Sequence, residues 1–120
     1  MPPSLATKRG DVVLVLFPNS DLRTAKTRPA LVVQADQLGT GLPQVIVAMI
    51  SSRMFRANHP SRVTIFLNSP VGRQSGLLSD SVVMTDNLAT VLNSAISDVI
   101  GSVPMIEIDQ ALKNTLGLGG

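Results

Sequence analysis

The segment DVVLVLF at Asp11–Phe17 is the strongest indication of fold class in this 120-residue chain. It is rich in valine and almost wholly apolar, which is typical of a β-strand that is covered on both faces. The turn segment Pro18–Asp21 ends it, because proline has no amide N–H to donate and Asn, Ser and Asp favour turns. We therefore predict a buried strand here, in a mainly β protein.

Further short apolar segments indicate more strands, and the segments between them show no helical periodicity. The predicted strands are Ala30–Gln34, Gln44–Ile50, Arg62–Leu67 and Ser81–Thr85. Gly39–Pro43, Ser51–Ser61 and Asn68–Gly76 are predicted to be loops, because Gly, Pro and polar residues dominate them. A doubly wound α/β fold is therefore not expected.

The period of the apolar residues changes near the C-terminus. From Met105 to Leu116 they recur at three- and four-residue steps, which predicts an amphipathic helix. We expect Ser102 as its N-cap, Pro104 in its first turn and Gly117 at its end. Short strands followed by one helix favour a small barrel-like sheet with the helix packed on it, as a single domain over residues 1–120.

Composition excludes several classes of protein. The chain is 44% apolar and 15% charged, with a mean hydropathy of +0.31, so it is not a disordered chain. Its longest apolar run, Val12–Phe17, is far shorter than the roughly 20 residues of a membrane-spanning helix. With no cysteine, one histidine and neither a P-loop nor a GxGxxG motif, no metal or cofactor is expected. We expect a cytoplasmic protein that does not bind membranes.

The charge distribution is uneven. Between Arg23 and Arg73 the chain has seven Lys and Arg residues and one acid, Asp36, whereas the rest of the chain has more acids than bases. If loops bring these cations to one side of a small barrel, that face would suit a polyanion. Arginines scattered over the surface for solubility are an equal alternative.

Candidate site residues are an arginine and two hydroxyls. Arg28 precedes Pro29, which holds its backbone extended, and a guanidinium matches the oxygens of a phosphate and the added charge of a phosphorane. Ser51 and Ser52 follow the third predicted strand, where a hydroxyl can donate to a phosphoryl oxygen. Taken singly, a salt-bridged or solvated Arg28 and ordinary turn serines remain the simpler interpretations.

Two further candidates are weaker. Arg53, Phe55 and Arg56 place an aromatic ring between two cations, as in loops that bind single strands, although Phe55 is equally suited to the core. Asp86 ends the last predicted strand and is a candidate carboxylate or a turn cap. A Ser-His-Asp triad is not expected, because His59 has no GxSxG motif near it.

The order of these motifs resembles that of the MazF/PemK toxins of bacterial toxin–antitoxin systems, over nearly the whole chain. The segments that carry the resemblance are KRGDVVLVLFP (Lys8–Pro18), RPALVVQ (Arg28–Gln34), VAMISS (Val47–Ser52), GLLSDSVV (Gly76–Val83), TDNL (Thr85–Leu88), Ile100-Gly101 and Leu116-Gly117-Leu118. The resemblance implies an SH3-like β-barrel with a C-terminal α-helix, usually as a homodimer. It also implies an endoribonuclease that cuts single-stranded mRNA without a metal and is blocked by an acidic antitoxin.

Site residues follow from the resemblance by position. The arginine of the RP motif, Arg28, would stabilise the scissile phosphate, and the hydroxyl of Ser51, with Ser52 beside it, would assist. The family more often has threonine where Ser51 stands. Asp86 aligns with a carboxylate proposed as the base in some relatives. Two positions depart from those relatives: Met84 stands in place of an arginine, and Leu22 lies near the place of a histidine.

This chemistry needs no external nucleophile, because the ribose 2′-OH attacks its own phosphate and leaves a 2′,3′-cyclic phosphate and a 5′-OH. RNA contacts are expected from Arg23, Lys26, Arg53, Phe55, Arg56 and Arg73. An antitoxin segment is expected to compete with RNA for the groove between 19–26 and 51–62. Two alternatives remain: a CcdB-like toxin that binds gyrase and cuts nothing, and a non-toxic barrel that binds nucleic acid or peptide.

Overall fold

The computed structural model describes residues 6–18 and 21–119. The part of the predicted turn at Asn19 and Ser20 lies outside the described residues. The elements, in chain order, are β1 (Asp11–Pro18), β2 (Ala25–Val32), β3 (Gln44–Ser51), β4 (Arg62–Ile65), α1 (Pro70–Ser75), β5 (Ser81–Leu92), β6 (Ile96–Ser102) and α2 (Ile106–Leu116). Short 3-10 turns lie at Met54–Arg56 and Asn93–Ala95.

The strands form one antiparallel sheet in the order β4-β5-β3-β2-β1-β6. Strand β1 lies inside the sheet, between β2 and β6, and Val12, Val13 and Val15 are fully buried. The prediction of a strand covered on both faces is therefore confirmed for Val12, Val13 and Val15, whereas Leu16 is 45% exposed.

Each face of the sheet has its own apolar core, because neighbouring side chains of a strand point to opposite faces. One core joins Val12 and Leu31 to Ile108 of α2. The other contains Val13, Val15 and further valines of β2, β3 and β5. The mainly β fold with a C-terminal helix packed on it is confirmed.

The sheet differs from a closed barrel, because β4 and β6 are its two edges in the described part of the chain. The end of α1 bridges this gap by packing on β6. Gly76 has φ +73°, and a Cβ there would overlap the carbonyl oxygen of Ile100. A Cβ on Gly101 would overlap the carbonyl oxygens of Gln74 and Ser75. Backbone therefore meets backbone at this contact, which we call the glycine contact (Gly76 and Gly101).

Several strand boundaries differ from the sequence-based prediction. Strand β2 begins at Ala25, five residues before the predicted start at Ala30. Residues 25–29 pair with β1 only, because the ladder between β2 and β3 begins at Ala30. Strand β4 ends at Ile65, and β5 continues through polar residues to Leu92. Strand β6 was not predicted, because its exposed edge gives it a mixed polar and apolar sequence.

The helices also differ in detail. The predicted loop 68–76 contains α1, whose first turn is capped by Ser69, the Oγ of which accepts from the N–H of Gly72 at 3.0 Å. Ser102 is not the N-cap of α2: it ends β6 and accepts a hydrogen bond from Gln74. Helix α2 begins after Met105, so Pro104 precedes it, whereas the end at Gly117, with φ 69°, is confirmed.

Strand β5 bulges where it passes β3. Ala48 pairs with Leu88 and the next residue, Met49, pairs with Met84, so three residues are left out of this ladder. We call them the β5 bulge (Thr85–Asn87). Such bulges redirect side chains at the edge of a site.

The β5 bulge is fixed by a buried hydroxyl. Thr85 is fully buried and donates through Oγ1 to the carbonyl oxygen of Ser61 at 2.6 Å, while its N–H donates to the same oxygen at 3.0 Å. Its Oγ1 also lies 2.8 Å from Oγ1 of Thr115 in α2. The bulge is thus tied both to the start of β4 and to the C-terminal helix.

Candidate functional site

A cleft of about 860 Å³ opens where β2 and β3 separate. Four basic side chains line it, those of Lys26, Arg28, Arg53 and Arg56, and none of the described residues that line it is Asp or Glu. A cleft lined by one sign of charge concentrates the field and attracts an anion. This is the positive surface that the charge distribution suggested, formed by four of the seven cations.

Arg28 reaches the cleft because of the register of β2. The ladder with β3 ends at the pair Ala30–Met49, and two residues beyond that pair the strands carry Arg28 and Ser51. On its other side, Arg28 pairs with Val15 of β1, so its backbone is held extended. Its side chain is exposed and lines the cleft together with Ser51.

Ser51 is half-buried at the end of β3, and its Oγ accepts a hydrogen bond from the backbone N–H of Arg53 at 3.1 Å. Because this bond occupies a lone pair of the oxygen, the hydroxyl hydrogen remains free to donate to a ligand. Ser52 also lines the cleft and is exposed. Of the two hydroxyls, that of Ser51 is the better fixed.

The 3-10 turn Met54–Arg56 carries the side chain of Arg56 to the cleft. Arg56 is half-buried, and its Nη1 donates to Sδ of Met84 at 3.7 Å. Its guanidinium carbon lies 5.7 Å from the centre of the Phe55 ring. Phe55 is 79% exposed and does not line the cleft, so it is not a core residue.

Asp86 is paired with an arginine. Oδ2 accepts from Nη2 of Arg62 at 2.8 Å and Oδ1 accepts from Nε at 3.3 Å, so the pair is bidentate. These bonds from Arg62 lower the pKa of the Asp86 carboxyl below its ordinary value of 3.8. Asp86 does not line the cleft, whereas Asn87, the next residue, does.

The sequence profile of the PemK-like, MazF-like toxins of type II toxin–antitoxin systems matches residues 8–116. The chain belongs to this toxin family. It is 36% identical to endoribonuclease MazF6 of Mycobacterium tuberculosis (strain ATCC 25618 / H37Rv) over 107 residues, which cover 86% of this chain and 90% of that protein. It is 30% identical to endoribonuclease EndoA of Bacillus subtilis (strain 168), with 95% and 97% covered.

A solved structure of a mycobacterial endoribonuclease in complex with its cognate antitoxin has the same fold. It superposes on this toxin with a TM-score of 0.71, at 24% sequence identity, and the match covers 96% of this chain and 99% of that one. At this identity the likeness concerns the fold alone.

The structure brings six of the predicted site residues of this toxin into one cleft. These are Arg28, Ser51, Ser52, Lys26, Arg53 and Arg56. It does not bring Asp86, Phe55, Arg23 or Arg73 there. Arg73 lies exposed on α1, and Arg23 lies exposed in the connection before β2. Contact of Phe55, Arg23 and Arg73 with RNA stays a prediction, as does a catalytic role of Asp86.

The exposed residues before β2 are organised around Asp21. Its Oδ1 accepts from the N–H groups of Arg23, at 2.9 Å, and Thr24, at 3.1 Å. These bonds lower the pKa of the Asp21 carboxyl. Leu22, near the place of a histidine in some relatives, has φ 59° and is 83% exposed.

Sequence reasoning missed the wall formed by the segment Gly76–Ser79 and the rim residue Asn87. Leu78 in this wall is 95% exposed, and Asp80 fixes the segment by accepting from the N–H of Leu67 at 2.8 Å. In the sequence, the signal for Leu78 is a pair of adjacent leucines within a segment of otherwise small and polar residues. For Asn87, the signal is the polar pair that follows an apolar strand.

The described residues contain no group of three or more His, Cys, Asp or Glu side chains that could hold a metal ion. No helix in 6–18 or 21–119 combines the length and the apolar character needed to cross a membrane.

Proposed function

We propose that this toxin is an endoribonuclease that cuts single-stranded mRNA within short sequences, without a metal ion. The observation that carries the proposal is the cleft, where Arg28 and Ser51 lie together among four cations. Relatives that share 30–36% of its sequence are named endoribonucleases.

In the proposed reaction the 2′-oxygen of a ribose attacks the adjacent phosphorus. The new O2′–P bond forms as the P–O5′ bond breaks, so the products are a 2′,3′-cyclic phosphate and a 5′-OH. The proton of the 2′-OH leaves with a base, and the departing 5′-oxygen gains one. The enzyme's main task is to hold the nucleotide in line and to offset charge on the phosphorane.

Arg28 supplies a positive charge that offsets the negative charge of the phosphorane. Its guanidinium is always protonated and donates two parallel hydrogen bonds to phosphate oxygens. Ser51 adds a neutral donor, because its own oxygen is already held by the N–H of Arg53. Lys26, Arg53 and Arg56 hold the flanking phosphates in the same cleft.

Metal independence is supported by the side chains in the cleft. Divalent cations in nucleases are bound mainly by carboxylates, and no Asp or Glu is among the described residues that line the cleft. Four cations there already supply the positive charge that a metal would bring to the phosphate.

The bases of the RNA contact apolar side chains of the cleft. Leu14, Met49, Leu77 and Leu78 line the cleft, and no aromatic residue is among the described lining residues. Sequence preference in this toxin therefore depends on the shape of this apolar surface and on polar side chains at its rim, rather than on stacking between aromatic rings.

The proposal includes the expected partners. A cytoplasmic antitoxin with an acidic segment would compete with RNA, because the residues 26 and 51–53 of the predicted groove line the cleft. A homodimer is supported by large apolar side chains that this single chain leaves exposed on α2, namely Ile106, at 84%, and Leu116, at 55%.

The decisive experiment is to incubate the purified toxin with single-stranded RNA in the presence of EDTA and to analyse the ends. Cleavage with 2′,3′-cyclic phosphate and 5′-OH ends is expected. The matched control is the same RNA with one 2′-deoxyribose at the cut site, which lacks the attacking oxygen and is expected to stay intact. Absence of cleavage together with inhibition of gyrase would instead identify a gyrase-binding toxin.

A further inference from the structure

Arg62 connects two pieces of the cleft without lining the cleft itself. Its guanidinium donates to both carboxylate oxygens of Asp86, at 2.8 and 3.3 Å. Its Nη1 also donates to the backbone carbonyl oxygen of Arg56 at 3.1 Å. That carbonyl ends the 3-10 turn that carries the side chain of Arg56 into the cleft.

One end of this connection is rigid. Asp86 lies in the β5 bulge, which Thr85 fixes to the carbonyl oxygen of Ser61. Ser61 is buried, and its Oγ accepts from Nδ2 of Asn114 of α2 at 2.8 Å. The bulge is therefore held from the sheet and from the helix at once.

The other end is held by few bonds besides that from Arg62: the N–H of Arg53 donates to Ser51, and Arg56 donates to Sδ of Met84. The 3-10 turn Met54–Arg56 has no buried residue and no side-chain cap. A single short turn is weakly stable by itself, since it fixes several backbone angles for few hydrogen bonds. Its position against the sheet consequently depends on contacts such as the bond from Arg62.

We propose that Arg62 and Asp86 are positioning residues, through which the 3-10 turn is held so that Arg53 and Arg56 face the RNA. The proposal rests on the proposed function for the identity of the ligand. Asp86 orients Arg62, Arg62 orients the turn, and neither side chain touches the reacting atoms. This role differs from that of the general base, for which the alignment with some relatives suggested Asp86.

The geometry argues against proton transfer by Asp86. Both of its oxygens already accept from Arg62, and its side chain does not line the cleft in which the 2′-OH would lie. A carboxylate stabilised in its charged form by a guanidinium is also a weaker base. Removal of its side chain should therefore disturb RNA binding more than the chemical step.

The test compares Arg62→Ala, Asp86→Ala and Asp86→Asn with the wild type, in cleavage of a short RNA and in binding of its analogue with 2′-deoxyribose at the cut site. We expect both alanine variants to raise KM and the Kd of the analogue by about tenfold, because the turn is displaced from the phosphates. Their kcat should stay within about threefold of wild type. Asp86→Asn retains an acceptor for Arg62 and should be nearer to the wild type than Asp86→Ala.

A matched control is Arg9→Ala. Arg9 has the same kind of arrangement, an ion pair with Asp109 and a bond from its Nε to the carbonyl oxygen of Val33 at 2.9 Å, but it does not line the cleft. A general loss of stability would affect Arg9→Ala as it affects Arg62→Ala. An increase of KM only in the Arg62 and Asp86 variants identifies positioning of the turn.

Two results would overturn the proposal. One is a kcat lowered about a hundredfold in Asp86→Asn at unchanged KM, which is the behaviour of a general base. The other is analogue binding that is equal in the wild type and in Arg62→Ala. If Arg62→Ala does not fold, Arg62→Lys replaces it, since lysine keeps the charge and lacks the fork. A wild type that binds the analogue and does not cut would refute the proposed function alone, because analogue binding still measures the position of the turn.

Discussion

Arginines in two regions of this toxin have opposite surroundings. In the cleft, Arg28 and Arg53 are exposed and no carboxylate is among the described lining residues. Outside it, Arg9 and Arg62 are each paired with an aspartate and also bonded to a backbone carbonyl. The first arrangement leaves a guanidinium available for a phosphate, whereas the second uses it to join segments of the fold.

A count of charges along the chain therefore does not locate a binding surface. Arg62 belongs to the same basic stretch of sequence as Arg28, yet its charge is matched by Asp86, 24 residues along the chain. Since ion pairs at a surface add little to stability, the paired arginines chiefly fix geometry. Removal of one positive charge should therefore have very different effects in the two regions.

The largest difference in cleavage rate is expected between Arg28→Ala and Arg9→Ala. Loss of Arg28 should lower the cleavage rate by about a hundredfold to a thousandfold, the usual effect of removing a donor that stabilises a transition state. Its fold should persist, because the side chain is exposed. Rates from a gel-based cleavage assay and melting curves check both points, and equal cleavage by the two variants would remove the distinction between the regions.

The next largest difference is expected in the salt dependence of RNA affinity, which only cations that contact RNA should change. If the four cleft cations contact phosphates, affinity for single-stranded RNA should fall about 50-fold between 50 and 200 mM salt. In Lys26→Ala the slope of log affinity against log salt should be smaller by about 0.7. Arg9→Ala should keep the slope of the wild type, and a flat dependence in the wild type would show that the cleft does not bind the RNA backbone.

Within the cleft itself, the two serines are expected to contribute unequally to the cleavage rate. Ser51→Ala should slow cleavage by about tenfold, in line with the loss of one neutral hydrogen bond. Ser52→Ala should have a smaller effect, because Ser51 alone is held by the N–H of Arg53. Single-turnover rates for the two variants decide the order, and the reverse order would move the role to Ser52.

The smallest effect concerns stability and pH. The folded pKa of Asp86 is lowered by its bonds from Arg62, so the pair's contribution is present above about pH 4 and is lost as pH falls toward the folded pKa. The excess of the wild-type melting temperature over that of Asp86→Asn should be constant from pH 7 to 5 and shrink below pH 4. An excess that does not change with pH would mean that the pair forms weakly in solution.

What the sequence predicted correctly is mostly local. The burial of Val12, Val13 and Val15 follows from an apolar strand, and the end of α2 at Gly117 follows from the left-handed conformation that glycine adopts easily. Ser102 failed as an N-cap because it pairs with Asp11 at the end of β6, 91 residues away along the chain, and the helix begins only after Met105. Local patterns do not reveal such partners.

The site was predictable in part for the same reason. Arg28 and Ser51 stand at motif positions beside strands, so their place in the cleft follows from strand register. The pairing of Asp86 depends on two non-local features, the three-residue bulge in β5 and the register of β4, where Arg62 lies opposite Met84. Neither the bulge nor the register can be predicted from the spacing of residues along the chain.

The glycine contact also affects the shape of the cleft. Gly76 belongs to one wall of the cleft, next to Ile100 of β6 in the same cleft, so this contact sets how far apart the two are. A methyl group added to Gly76 or Gly101 would overlap backbone atoms across this contact, so the backbone on one side would have to shift. Alanine at either position should therefore change the shape of the cleft without changing its charge, which separates these two contributions to RNA binding.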